Sequence, residues 1–174
     1  MSQSVPRKPD ETLCCASWES PIGKLTVGCS DKGVRTLALG NSSPTNGTGA
    51  NGSRSARSAQ LAKQAIAELR EYVSGRRKRF TVPLDLQGTP FQMKVWKALL
   101  AIPYGETRSY QQIAREVGNP RASRAVGMAN HCNPVGIIVP CHRVIASDGS
   151  LGGYAGGLKM KERILKLEQG QAAL

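Results

Sequence analysis

Val135-Gly136-Ile137-Ile138-Val139-Pro140-Cys141-His142-Arg143-Val144-Ile145 sets a proline, a cysteine, a histidine and an arginine into an otherwise apolar run. Apolar residues on both sides predict a buried strand or strand-like crossing. Pro140 removes a backbone donor just before Cys141, so a regular central strand is not expected to continue through it. A plain core would place hydrophobes at positions 141 and 142, and burying a thiol, an imidazole and a guanidinium together is costly without a task. Cys141 is therefore the candidate nucleophile.

The chain has 174 residues, enough for one sizeable core or two small ones. It has no apolar stretch long enough to span a membrane and no signal-peptide core, so an intracellular protein is expected. Five cysteines, an odd number with no CxxC pair, argue against a disulfide framework. Only His131 and His142 are available to join a zinc site, so no metal and no cofactor are expected. Lys and Arg outnumber Asp and Glu 24 to 12, giving a formal net charge of +12. That excess favours a polyanionic partner, nucleic acid first.

Residues 1–11 are polar, contain two prolines and read as a loose, disordered tail. Three short runs follow with strand character: Leu13 to Trp18, Lys24 to Cys29 and Val34 to Leu39. Turn chemistry at Ser20-Pro21-Ile22-Gly23 and Asp31-Lys32-Gly33 makes them an antiparallel meander. Residues 40–58 read as a flexible loop. Ala59 to Ser74 reads as a helix, with Leu61, Ala65, Leu69 and Tyr72 on one face and Gly75 as its stop. Arg76-Arg77-Lys78-Arg79 is either a phosphate contact or a solvated basic turn. Phe80 to Leu86 alternates like a strand that returns to the N-terminal sheet. This half, residues 12–86, shows no recognisable site of its own.

Gln87-Gly88-Thr89-Pro90 marks the boundary to a second unit, residues 88–170, with 171–174 as a tail. Thr89 caps a helix over Phe91 to Ile102, whose apolar stripe and Trp96 are core. Ser109 caps a short helix through Val117, and Gly118-Asn119-Pro120 turns the chain into a second, Arg121 to Asn130. Two short helices around a glycine turn form a helix-turn-helix pattern. Arg121 and Arg124 sit among small residues in the second helix, which suits contact with DNA. Gly149 to Gly157 reads as a lid around Tyr154, and Leu158 to Gln169 as the last helix. Leu158, Lys161, Leu165 and Glu168 share a stripe of that helix, so a buried Glu168 would need a cationic or hydrogen-bonding partner, with His142 the obvious candidate.

Pro140-Cys141-His142-Arg143-Val144 resembles the signature of the O6-alkylguanine-DNA alkyltransferases, the methylated-DNA–protein-cysteine methyltransferases. The likeness extends, in order, through Gly88-Thr89-Pro90-Phe91-Gln92, Ile102-Pro103-Tyr104-Gly105, Ser109-Tyr110, Arg124-Ala125-Val126-Gly127, Asn133-Pro134 and Gly152-Gly153-Tyr154-Ala155-Gly156-Gly157. The N-terminal half is similar only loosely, through Ser20-Pro21-Ile22-Gly23-Lys24 and its strands. The resemblance implies an α/β (α+β) protein: a small ribonuclease-H-like antiparallel sheet with a helix, then a mostly helical, winged helix-turn-helix-like domain.

It also implies direct repair of O6-alkylguanine, and less readily O4-alkylthymine, in double-stranded DNA by one irreversible transfer to Cys141 after nucleotide flipping. By that likeness Arg124 takes the place of the flipped nucleotide, with Arg121, Ser123, Ala125 and Gly127 as further DNA contacts. Tyr110, Val144, Tyr154, Ala155 and Lys161 would serve substrate binding, Asn133 would brace the site and Glu168 would orient His142. Some members bind zinc through their N-terminal domain, but here only Cys29 falls near a ligand position, and that site is not carried over. Asn130, His131 and Cys132 depart from the pocket residues of other members. A monomer is expected, nuclear in a eukaryote and cytoplasmic in a prokaryote. Two other readings use the same residues: a non-catalytic helix-turn-helix DNA-binding protein and a thiol-based sensor.

Overall fold

The computed structural model describes residues 13–40 and 55–171. The expected tail at 1–11, all but Gln171 of the tail at 171–174 and most of the loop at 40–58 lie outside the described residues. Strands β1 (Cys14–Ser20), β2 (Gly23–Cys29) and β3 (Val34–Leu39) form an antiparallel sheet in the order β1-β2-β3. The two turns fall where the sequence places them, Ser20 opposing Gly23 across the first.

Helix α1 (Ala56–Val73) packs its apolar stripe on this sheet, with Leu61, Ala65, Leu69 and Tyr72 buried. It starts three residues before the expected Ala59, because Ser55 caps it: the Ser55 hydroxyl accepts from Ser58 N at 3.0 Å. The Ser- and Ala-rich run that reads as loop thus supplies the cap and first turn.

Phe80 to Leu86 is not a strand. It touches the sheet through one parallel bridge, Val34 with Leu84, where Val34 N donates to Pro83 O at 2.8 Å and Asp85 N to Val34 O at 2.9 Å. Pro83 has no N–H to extend the ladder. The buried Glu68 carboxylate of α1 pins the start of this segment instead, accepting from Thr81 N at 2.8 Å and Val82 N at 3.2 Å.

Helix α2 (Pro90–Leu100) opens with the full Thr89–Gln92 capping box. It ends two residues before the expected Ile102. Trp96 is buried as expected and donates Nε1–H to Ala129 O at 2.9 Å, tying α2 to the later helix. The two-residue strand β4 (Arg108–Ser109) leads into α3 (Tyr110–Glu116), which Ser109 caps with Gln112. Helix α4 (Ser123–His131) completes the helix-turn-helix pair. It starts two residues later than expected, so Arg121 lies in the preceding turn, and its N-cap Ala122 offers no side-chain acceptor.

The crossing from Val135 to Pro140 is buried but is not a strand; it turns on itself, with Val139 N donating to Val135 O at 2.9 Å. A 3₁₀ turn over Cys141–Arg143 follows, then β5 (Val144–Ile145), which pairs in parallel with β4. Helix α5 (Leu158–Glu168) closes the chain. It buries Lys161, Ile164, Leu165 and Glu168, whereas Leu158 at its first position is exposed, one turn beyond the neighbours that cover the stripe.

The halves share one apolar core, and Leu37 N of β3 donates to Pro134 O at 2.8 Å, so the N-terminal sheet edge abuts the segment that leads to Cys141. Among the described residues no helix is long and apolar enough to cross a membrane.

Candidate active site

Backbone geometry presents Cys141. Asn133 braces the crossing from both sides: its Nδ2 donates to Val139 O at 2.9 Å and its Oδ1 accepts from Val135 N at 3.0 Å. Inside this brace Ile137 holds φ at 73°, the left-handed region that a β-branched residue rarely adopts. Pro140, with φ −82° and ψ 63°, makes an inverse γ-turn, and Cys141 N donates to Val139 O across it at 2.8 Å. The residues that keep the crossing from being a strand therefore aim the cysteine.

Behind the 3₁₀ turn, the Glu168 carboxylate collects five donors. Its Oε1 accepts from Tyr72 Oη at 2.5 Å, His142 Nε2 at 2.9 Å and Arg143 Nη2 at 2.8 Å. Its Oε2 accepts from Arg143 Nε at 2.8 Å and Gly105 N at 3.1 Å. Burial pushes the Glu168 carboxyl upward, but the hydrogen bonds and charges of His142 and Arg143 outweigh it and hold the group well below the usual carboxylate range.

His142 is wholly buried, and burial lowers its pKa below the ordinary 6.5 although Glu168 pulls the other way. A carboxylate can only accept, so Nε2 carries the imidazole proton and Nδ1, with no hydrogen-bond partner among the described residues, is the free acceptor.

Cys141 is buried, and burial raises its thiol pKa; an Asn133 hydrogen bond, the Lys161 charge and the backbone N–H groups of Cys141 and His142 work against that rise. Lys161 is a buried ammonium on α5. It donates to Val144 O at 2.6 Å and to Leu151 O, and lies 5.9 Å from the Tyr110 ring centroid. Burial pulls its pKa down to about 8, while the nearby Cys141 favours the charged form. The site thus holds a thiol, a cation whose charge acts on it and a neutral histidine anchored to a carboxylate. That is the equipment of an activated sulfur nucleophile.

Cys141 opens onto a cavity of about 580 Å³, also lined by Tyr110, Ser123, Gly127, Tyr154 and Ala155, with Asn130 and His131. The glycine loop must approach Tyr110 closely: at Gly152, with φ 63°, a Cβ would lie 2.8 Å from the Tyr110 hydroxyl. Tyr154 is half-buried with its hydroxyl fully enclosed, and that burial drives its phenol pKa far above the ordinary value. Val144 and Lys161 are not lining residues; they brace one another beside the cavity. Arg124 and Ala125 project from the first turn of α4 into solvent, and Arg121 is exposed in the turn before it. Among the described residues no group of three or more His, Cys, Asp or Glu side chains is placed to hold a metal.

Comparison with known proteins places the chain in a family. Residues 90–170 match the family model described as 6-O-methylguanine DNA methyltransferase, DNA binding domain, and residues 13–86 match its ribonuclease-like domain. The chain belongs to the 6-O-methylguanine DNA methyltransferase family. It is 46% identical over 151 residues to the methylated-DNA–protein-cysteine methyltransferase of Methanosarcina barkeri, covering 87% of this chain and 94% of that one. It is 44% identical over 166 residues to the protein of the same name from Mycobacterium leprae, covering 90% and 93%. The crystal structure of Mycobacterium tuberculosis OGT in complex with DNA superposes with a TM-score of 0.79 at 45% identity, covering 90% of this chain and 92% of that chain.

In this member of the family, the contributions of Tyr72, Gly105 and Arg143 to Glu168 are not legible in the sequence. The first half does carry part of the site, contrary to expectation: Tyr72 of α1 reaches Glu168 across 96 positions of sequence. The one local signal is a tyrosine on a core stripe, since a buried phenol needs a partner for its hydroxyl.

Proposed function

We propose that the protein repairs O6-alkylguanine, and less readily O4-alkylthymine, in double-stranded DNA by moving the alkyl group onto its own Cys141, one molecule acting once, as a monomer. The observation that carries this reading is Cys141 at the wall of a cavity, next in sequence to His142, whose Nε2 is 2.9 Å from Glu168 Oε1.

Residues 12–86 support the site, and residues 88–170 bind DNA and hold the reacting groups. Helix α4 enters the groove, its small Ser123, Ala125 and Gly127 permitting close approach. Its uncapped N-terminus and Arg121 meet phosphates. Arg124 fills the space left by the extruded nucleotide, offsetting an unstacking cost of a few kcal/mol. The flipped base enters the cavity, where Tyr110 bonds it, Tyr154 lines its face and the Ala155 amide meets O6. The Val144 carbonyl has a second lone pair, beyond the one given to Lys161, for the exocyclic amine.

His142 takes the thiol proton at Nδ1, directly or through a water, and Glu168 stabilises the imidazolium that forms. The thiolate attacks the alkyl carbon, forming a C–S bond as the C–O6 bond breaks, and the guanine anion that leaves is neutralised by the proton the thiol gave up, returned from the imidazolium directly or through water. A thioether neither hydrolyses nor exchanges, which makes the reaction single-turnover.

Intact-protein mass spectrometry after incubation with a duplex containing O6-methylguanine tests this. One added methyl per molecule, mapped to Cys141 and absent from Cys141→Ala, is expected. No mass shift with DNA binding intact would leave only a DNA-binding protein.

A further inference from the structure

We propose that Tyr72, from helix α1 of the N-terminal half, is a positioning residue of the transfer reaction: its hydroxyl holds the Glu168 carboxylate and so sets the orientation and basicity of His142. The role rests on the alkyl-transfer reading above.

The geometry is specific. Tyr72 Oη donates to Glu168 Oε1 at 2.5 Å and lies 3.4 Å from His142 Nε2. Its ring is wholly buried and clamped by Phe80 at 5.2 Å and, edge-on, by Tyr104 at 6.1 Å between centroids. The oxygen that Tyr72 bonds is the one that accepts the His142 proton. A neutral donor there draws charge out of the carboxylate without adding a cation, so the pull of Glu168 on the imidazole weakens and Nδ1 stays unprotonated.

The groups around His142 come from every neighbouring element: Arg143 and Cys141 from its own turn, Glu168 and Lys161 from α5, Tyr72 from α1, and Tyr104 beside Glu168 and Arg143. Of these, Tyr72 alone belongs to the N-terminal half. A tyrosine that merely filled core would have no effect on the titration of the histidine.

The chain has two histidines, so the His142 imidazole resonances can be followed by NMR in the full-length protein. Tyr72→Phe removes the donor; 3-fluorotyrosine at position 72 keeps shape and hydroxyl but donates more strongly. In Tyr72→Phe the His142 titration should move up by roughly half a pH unit, and with fluorotyrosine it should move down. The acid limb of methyl transfer from an O6-methylguanine duplex should follow in both, and Tyr72→Phe should be slower by about tenfold at neutral pH.

Unchanged titration and unchanged acid limb in both variants would overturn the proposal, whatever happens to Tm. Should Tyr72→Phe fail to fold, the fluorotyrosine shift decides it. If the unmodified protein gains no methyl at all, the alkyl-transfer reading falls while the histidine titration still judges Tyr72.

Discussion

At Glu168, two oxygens answer five donor atoms, two of them from one buried guanidinium. Glu168→Gln keeps the shape but leaves Arg143 charged and unopposed, and its amide NH₂ faces other donors. Removing one partner of a buried pair costs about 3–5 kcal/mol. Urea denaturation should show that loss together with slow transfer; a loss below 1 kcal/mol on that scale would mean the network is not closed as described. Lys161 invites a different substitution. Lys161→Met retains bulk while stripping the carbonyls of Val144 and Leu151 of their donor and Cys141 of the positive charge that acts on it. The Cys141 thiol should then titrate higher by about one unit, read from the pH dependence of its alkylation by mass spectrometry. An unchanged profile would show that Lys161 only ties the two loops together.

Helix α3 carries Tyr110 at its first position, directly after the cap Ser109, whose residue also pairs with Ile145 in the β4–β5 ribbon. Ser109→Ala should cost about 1 kcal/mol by denaturation and loosen the tyrosine at the cavity wall. What could be read from the sequence divides along this kind of feature. Caps and turns are local: Thr89-Pro90, Ser109 and the two hairpin turns act through residues within about one turn, so their positions are legible. Helix α4 lacks a side-chain cap, and its start is correspondingly displaced from Arg121 to Ser123. The crossing at Val135–Pro140 reads as a strand because its composition is that of one; its turn depends on Asn133 reaching Val139 and on Ile137 taking a rare conformation. In the site, Cys141, His142 and Glu168 are legible because reactive groups stand out in apolar runs. Tyr72 is not, because its helical spacing says core and its partner lies on another element of the far half.

Across the whole molecule, one apolar core and one ionic cluster join the two halves, and both bear on how the protein meets acid. His142 has its folded pKa below the unfolded value near 6.5, so the unfolded chain binds the proton more readily. Its contribution is complete above about pH 6.5 and is lost as the pH falls below that. Glu168 is also lowered, so the stability it confers is present above the ordinary carboxylate value and disappears as the pH drops toward its own much lower one. Glu68 and Asp85, lowered by bonds to Thr81 and to Ser30 and Arg35, follow in the same acid range on the N-terminal side. Thermal stability should therefore begin to fall below about pH 6.5 and fall more steeply below about pH 4.5. Because Tyr72 of α1 and Glu168 of α5 are buried in the same cluster, protonation there strains both halves at once. Each half holds one tryptophan, Trp18 in β1 and Trp96 in α2. Fluorescence of Trp18→Phe and Trp96→Phe thus reports the halves separately, and the midpoints, corrected for the cost of each substitution measured at neutral pH, should coincide at every pH. An N-terminal half that melts first on acidification would show that the shared core does not couple the two, and would remove the reason for Tyr72 to reach the site from α1.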